Sequence, residues 1–89
     1  MAKMYRVVDV ADWNDCPLSN WHTDKQKAIE EAVFALENTV WAWDMFFEVA
    51  EIDPNSAEDC YEEFREYWAK TIEEEEAELA IVEEFIVID

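Results

Sequence analysis

VWAWDMFFEVAEID, residues 40–53, is the long apolar and aromatic run in the middle of the chain, and the fold turns on how it is read. Its residues are β-branched and aromatic, the types that suit a pleated, half-buried surface. The second half alternates. Met45, Phe47 and Val49 point one way and Glu48 the other, which predicts a strand over about 45–52. The preceding VWAW either extends that strand or leads irregularly into it.

On the N-terminal side, MYRVVDVAD (4–12) predicts a first strand, with Tyr5 and Val7 on one face and Arg6, Val8 and Val10 on the other. WNDCPLSNWHTD (13–24) clusters Asn, Asp, Pro and Ser as a loop does. DKQKAIEEAVFALEN (24–38) predicts a helix: Ile29, Ala32, Val33 and Leu36 recur at three- and four-residue spacing and form one buried stripe. Thr23 is placed to cap its start, Asp24 suits its first turn, and Asn38 with Thr39 ends it.

On the C-terminal side, DPNS (53–56) reads as a turn, and Ser56 with Asp59 resembles a capping box. A second helix is expected over 57–79, its apolar side built from Cys60, Phe64, Tyr67, Trp68, Thr71, Ile72 and Leu79. Glu75 interrupts that side, so the helix should bend or leave the core there. EEFIVID (83–89) closes the chain as a strand, with 85–88 continuous enough to be central in a sheet. The expected fold is therefore α+β in the order β-α-β-α-β, a single domain over residues 1–89 with about three strands and two helices. Strand order does not follow from the sequence. The chain has no glycine, so tight turns that need positive φ must use Asn or Asp.

A short chain buries a low fraction of its surface. Five Trp, five Phe and three Tyr offset this and argue for a folded protein, because acidic disordered chains are poor in aromatics. Six basic residues face 24 acidic ones, for a net charge of −18. That field repels nucleic acid and anionic lipid and favours cationic partners. The two cysteines, Cys16 and Cys60, fall short of a disulfide framework and read as free, buried thiols. Asp9 and Asp12 break the N-terminal run before it resembles a signal peptide, and no apolar run is long enough to span a bilayer. The expected compartment is the cytoplasm, that of the host if the gene is carried by a phage.

Most site chemistry is excluded. Without glycine there is no phosphate-cradling loop and no EF-hand turn. Two Cys and one His cannot complete a structural zinc site. The lone His22 lies in a loop and reads as ordinary surface, and a Cys16–His22 nucleophile pair is disfavoured by acidic surroundings that raise a thiol pKa. The reading is of a protein that is not an enzyme, with no catalytic residue, no metal site and no cofactor. Trp68 reads as core. Trp41 and Trp43 lie two apart on one face of the expected strand, either in the core or at the apolar centre of an interface.

The acids of the second helix are the candidate binding residues. Glu58, Asp59, Glu62, Glu63, Glu66, Glu73, Glu74, Glu75 and Glu76 span 18 steps, roughly 27 Å at a helical rise. That is about one charge per 3 Å, close to the ~3.4 Å phosphate spacing of a DNA strand. The arrangement opposes helix stability, through like charges four apart and acids gathered at the negative end of the dipole. A solvated face explains acids but not the near absence of Lys. The residues assigned to partner binding are Glu58, Asp59, Glu62, Glu63, Glu66, Glu73, Glu74 and Glu76.

In size, charge and element order the chain resembles the small acidic DNA-mimic proteins with which phages and mobile elements oppose restriction, CRISPR or other DNA-handling enzymes. In size and in ending EEFIVID it also resembles acidic nuclease inhibitors of the barstar or immunity kind. These resemblances imply an inhibitor that fills the nucleic-acid-binding cleft of a basic protein or nuclease and binds no nucleic acid itself. A homodimer stays open. The alternatives are an immunity-type inhibitor of one toxic nuclease, and a halophilic or structural assembly module with no inhibitory role.

Overall fold

The computed structural model describes residues 2–11, 16–53, 55 and 59–86. Its elements run β1 (Ala2–Asp9), β2 (Cys16–Pro17), α1 (Lys25–Glu37), α2 (Val40–Ala50), α3 (Tyr61–Glu73) and β3 (Leu79–Ile86). The three strands form one antiparallel sheet in the order β2-β1-β3. β1 and β3 pair over their full lengths, from Ala2 opposite Ile86 to Asp9 opposite Leu79. On the other side of β1, Cys16 and Pro17 pair with Asp9 and Val8, and His22 exchanges both backbone bonds with Tyr5 at 2.8 and 2.9 Å.

The expected β-α-β-α-β order is overturned. All three helices lie between β1 and β3, and the deciding run 40–50 is helical. Its aromatic composition suits a strand, but its spacing fills a helix face: Ala42, Trp43, Phe46 and Phe47 turn inward together. β-propensity is weak against such packing. Trp43 stacks on Phe64 of α3 with ring centroids 3.8 Å apart, and Phe46 meets the same ring edge-on at 5.5 Å. β1, meanwhile, already has a neighbour on each side.

α1 begins at Asp24, whose side chain accepts the Gln26 N–H at 2.9 Å, so the cap is Asp24 and not Thr23. Its stripe Ala28, Ile29, Ala32, Val33 and Leu36 is buried. Asn38 and Thr39 alone separate α1 from α2, and the Thr39 hydroxyl donates back to the Ala35 carbonyl at 3.0 Å. The helices cover one face of the sheet, where Tyr5, Val7, Leu79 and Ile81 join the core. On the opposite face Val8 is also buried, and the Arg6 guanidinium lies 4.8 Å from the Trp21 ring centroid.

α3 is shorter than the expected 57–79 helix, because Glu74–Glu78 form a reversing turn. The Glu75 N–H reaches the Ile72 carbonyl and the Glu76 N–H reaches that of Thr71, with Glu75 left-handed at φ 53°. This is a Schellman stop, which usually uses glycine. Ala77 and Glu78 are left-handed as well, at φ 55° and 62°. The positive-φ positions among the described residues are thus filled by Glu and Ala, not by the expected Asn and Asp. The turn delivers the chain into β3, which is an outer strand of the described sheet and not a central one. Leu79 belongs to β3 and not to the helix.

Candidate partner-binding surface

Glu58 lies outside the described residues, as do Ser56 of the expected capping box and Trp13. Asp59 sits in the tight turn that leads into α3. Glu62, Glu63, Glu66 and Glu73 are on α3, Glu74 caps its C-terminus and Glu76 lies in the following turn. At about 100° per residue, Glu62, Glu66 and Glu73 fall within roughly 40° of one another, opposite the buried Phe64, Trp68, Thr71 and Ile72. Glu63 lies beside them, together with Lys70.

The continuous charged rod is not present. From Glu62 to Glu73 the helix rises only about 16 Å, and Lys70 lies beside the row. Glu75 is held in place, because its carboxylate accepts the Ile81 N–H at 3.0 Å and so ties the turn to the edge of β3. The resemblance in linear density to a DNA strand fails at the helix terminus.

What remains is charge spread over the surface. Twenty of the acids are described, and seventeen of these are exposed. Among the described residues two Lys or Arg pairs meet them: Lys3 with Glu83 at 3.2 Å, and Arg65 with Glu37. His22 forms the third close contact, with Glu31. The Glu31 carboxyl is held below its ordinary value by the His22 hydrogen bond, with the Asn20 backbone and side-chain amides assisting against desolvation. His22 is therefore part of a loop anchor, since its backbone pairs with Tyr5 and its ring pairs with α1.

α2 contributes a feature that the strand reading hid. Trp41 and Trp43 part company on a helix. Trp43 turns inward and its indole N–H donates to the Glu37 carbonyl at 2.8 Å. Trp41 rests edge-on against Trp68 at 5.6 Å but stays 40% exposed. Trp41, Met45 and Val49 recur every four residues and form an exposed apolar row, with Met45 36% and Val49 59% exposed. Asp44, Glu48 and Glu51 form an acidic row beside it. The four-residue recurrence of Trp41, Met45 and Val49 is the signal in the sequence that identifies this row.

Cys16 and Cys60 are free thiols, but Cys16 is exposed and Cys60 half-buried, so neither is the buried cysteine expected. Desolvation pushes the Cys60 thiol up, and Glu63 and Asp59 add to the effect, so the thiolate is disfavoured. Among the described residues no group of three or more His, Cys, Asp or Glu side chains is placed to hold a metal. None of their helices is long and apolar enough to cross a membrane. Comparison with protein-family models, curated proteins and solved structures gives no match.

Proposed function

We propose that this protein is a non-enzymatic acidic inhibitor that occupies the nucleic-acid-binding cleft of a basic protein, as a surrogate for the polyanion. The observation that carries the reading is the uncompensated surface: seventeen exposed acids among the described residues, against two pairs with Lys or Arg. Such a field attracts cationic clefts from a distance and rejects nucleic acid and anionic lipid. Like charges on a small protein oppose its compact state, so an excess of this size calls for a use. With the rod on α3 interrupted, the mimicry is one of surface potential and not of phosphate spacing along a helix.

The exposed row Trp41, Met45 and Val49 favours a second, narrower reading, an immunity-type inhibitor of one toxic nuclease. Charge alone gives steering and broad recognition, whereas a desolvated apolar centre selects one shape.

The test is affinity capture from a lysate of the native host at about 0.1 M salt, followed by elution with duplex DNA at constant ionic strength. The proposal expects a basic nucleic-acid-binding protein that DNA displaces. Several such proteins would favour the general mimic, and one tightly held nuclease the immunity reading. A captured protein that holds DNA and this chain together would contradict both, as would failure to retain any basic protein.

A further inference from the structure

We infer that the outer face of α2 is the docking centre for a basic amphipathic helix of the partner. The inference rests on the proposed cationic partner and adds where, and by what chemistry, that partner binds.

Trp41, Met45 and Val49 lie in one row along α2, and eight helical steps extend it about 12 Å. On one side runs the row Asp44, Glu48 and Glu51. On the other, Trp41 and Met45 form one wall of a groove of about 470 Å³, whose far wall is Asp9, Ala11, Ala77 and Glu78. The floor is therefore apolar, both margins carry carboxylates, and among the described residues no basic side chain lines the groove.

The margins select the occupant. An apolar row between two acidic rims matches a helix that carries apolar residues along one stripe and Lys or Arg on both flanks. The backbone of α2 is satisfied within the helix, so the site offers no edge for strand addition. A second copy of this chain would bring the same carboxylates face to face, with −18 on each molecule. Nucleic acid and anionic membranes meet the same repulsion. A second apolar groove, between α1 and α3, is lined by Phe34 and Val33 but carries Arg65 at its rim, bound to Glu37, and is the poorer match for a cation.

The row also has a firm base. Trp41 packs edge-on against the buried Trp68, so a docked helix would meet a positioned ring. The far wall includes Ala77 and Glu78 of the left-handed turn, which brings the end of α3 beside α2.

Two synthetic peptides of about four helical turns test this on the intact protein. One carries Leu along a single stripe flanked by Lys and Arg; the other has the same charge with every Leu replaced by Gln. Each is titrated into isotope-labelled protein, and backbone amide shifts are recorded. The inference expects the amphipathic peptide to bind at least about ten-fold more tightly, with the largest shifts at Trp41, Met45, Val49, Ala77 and Glu78. The double variant Met45→Ser, Val49→Ser should abolish that preference while leaving weak binding of the polar peptide, since both residues are exposed. Equal affinity for the two peptides would overturn the docking site and leave the charge-based function standing, as would shifts centred on the α3 acids. Failure of both peptides to bind at low salt would overturn both. Self-association of the protein alone, with shifts on α2 as concentration rises, would overturn the inference in favour of a second copy.

Discussion

Trp68 is fully buried, and its indole N–H has no hydrogen-bond partner. The residue therefore contributes volume and aromatic contact, to Tyr67 at 5.0 Å, Trp41 at 5.6 Å and Phe64 at 6.4 Å, and not a polar bond. Trp68→Ala should cost about 3–5 kcal/mol in chemical denaturation through the cavity it leaves. Trp68→Phe should cost clearly less, because only volume is lost and no hydrogen bond is broken. Equal losses for the two would mean that the indole nitrogen has a partner after all. A few residues away the backbone departs from what its side chains favour. Ala77 sits at φ 55°, and its exposed methyl group offers nothing to offset a left-handed conformation that costs an L-residue ~1–2 kcal/mol. Ala77→Gly should stabilise the protein by about 0.5–1 kcal/mol after the extra chain entropy of glycine is subtracted. The melting temperature should then rise by roughly 2–8 °C for a domain of this size. A fall would show that the turn is not left-handed at this position. Glu75 is the poorer choice for the same change, because its carboxylate holds the Ile81 N–H.

At the scale of elements, α2 separates the two ways of reading its sequence. Asp44 is exposed in the helix interior. Asp44→Ala should stabilise by about 0.5 kcal/mol through helix propensity, while Asp44→Pro should cost ~3 kcal/mol or more by removing an internal bond. A strand would give no advantage to alanine, so a neutral or destabilising Asp44→Ala would speak against α2. Elements whose pattern had a single solution were legible. β1 and α1 lie within a few residues of their expected limits, and Phe64, Trp68, Thr71 and Ile72 form the buried side of α3 as their spacing requires. Residues 40–50 were not legible by composition, because aromatic and β-branched residues fit either element and only the partner surface of α3 decides. The length of α3 was hidden for a related reason. Glu73–Glu76 are good helix formers, and a Schellman stop with glutamate in the glycine position leaves no punctuation to read. Of the candidate site, the charge was visible in the composition, but its continuity along one helix was not real, and the apolar row on α2 was concealed by the strand reading.

Over the whole molecule the acids act as a field. Their exposure and the scarcity of basic partners predict a fold that tightens as salt is added, because the Debye length shrinks from about 30 Å at 0.01 M to ~10 Å at 0.1 M. Thermal melts at these two salts should show a higher midpoint in the second, and coincident midpoints would mean that the charges are locally compensated. The same field governs association. Six acids on and beside α3, Glu62, Glu63, Glu66, Glu73, Glu74 and Glu76, are exposed, so their replacement by Gln removes charge without emptying the core. None of the six lines the groove beside α2, so this replacement examines steering and not the docking floor. The decisive measurement is the association rate constant of the captured basic partner with the parent protein and with this Gln variant, followed across a series of salt concentrations. The account predicts that the parent's rate falls steeply with salt, and that the variant associates more slowly at low salt with a flatter dependence. Rates that coincide at every salt concentration would contradict it.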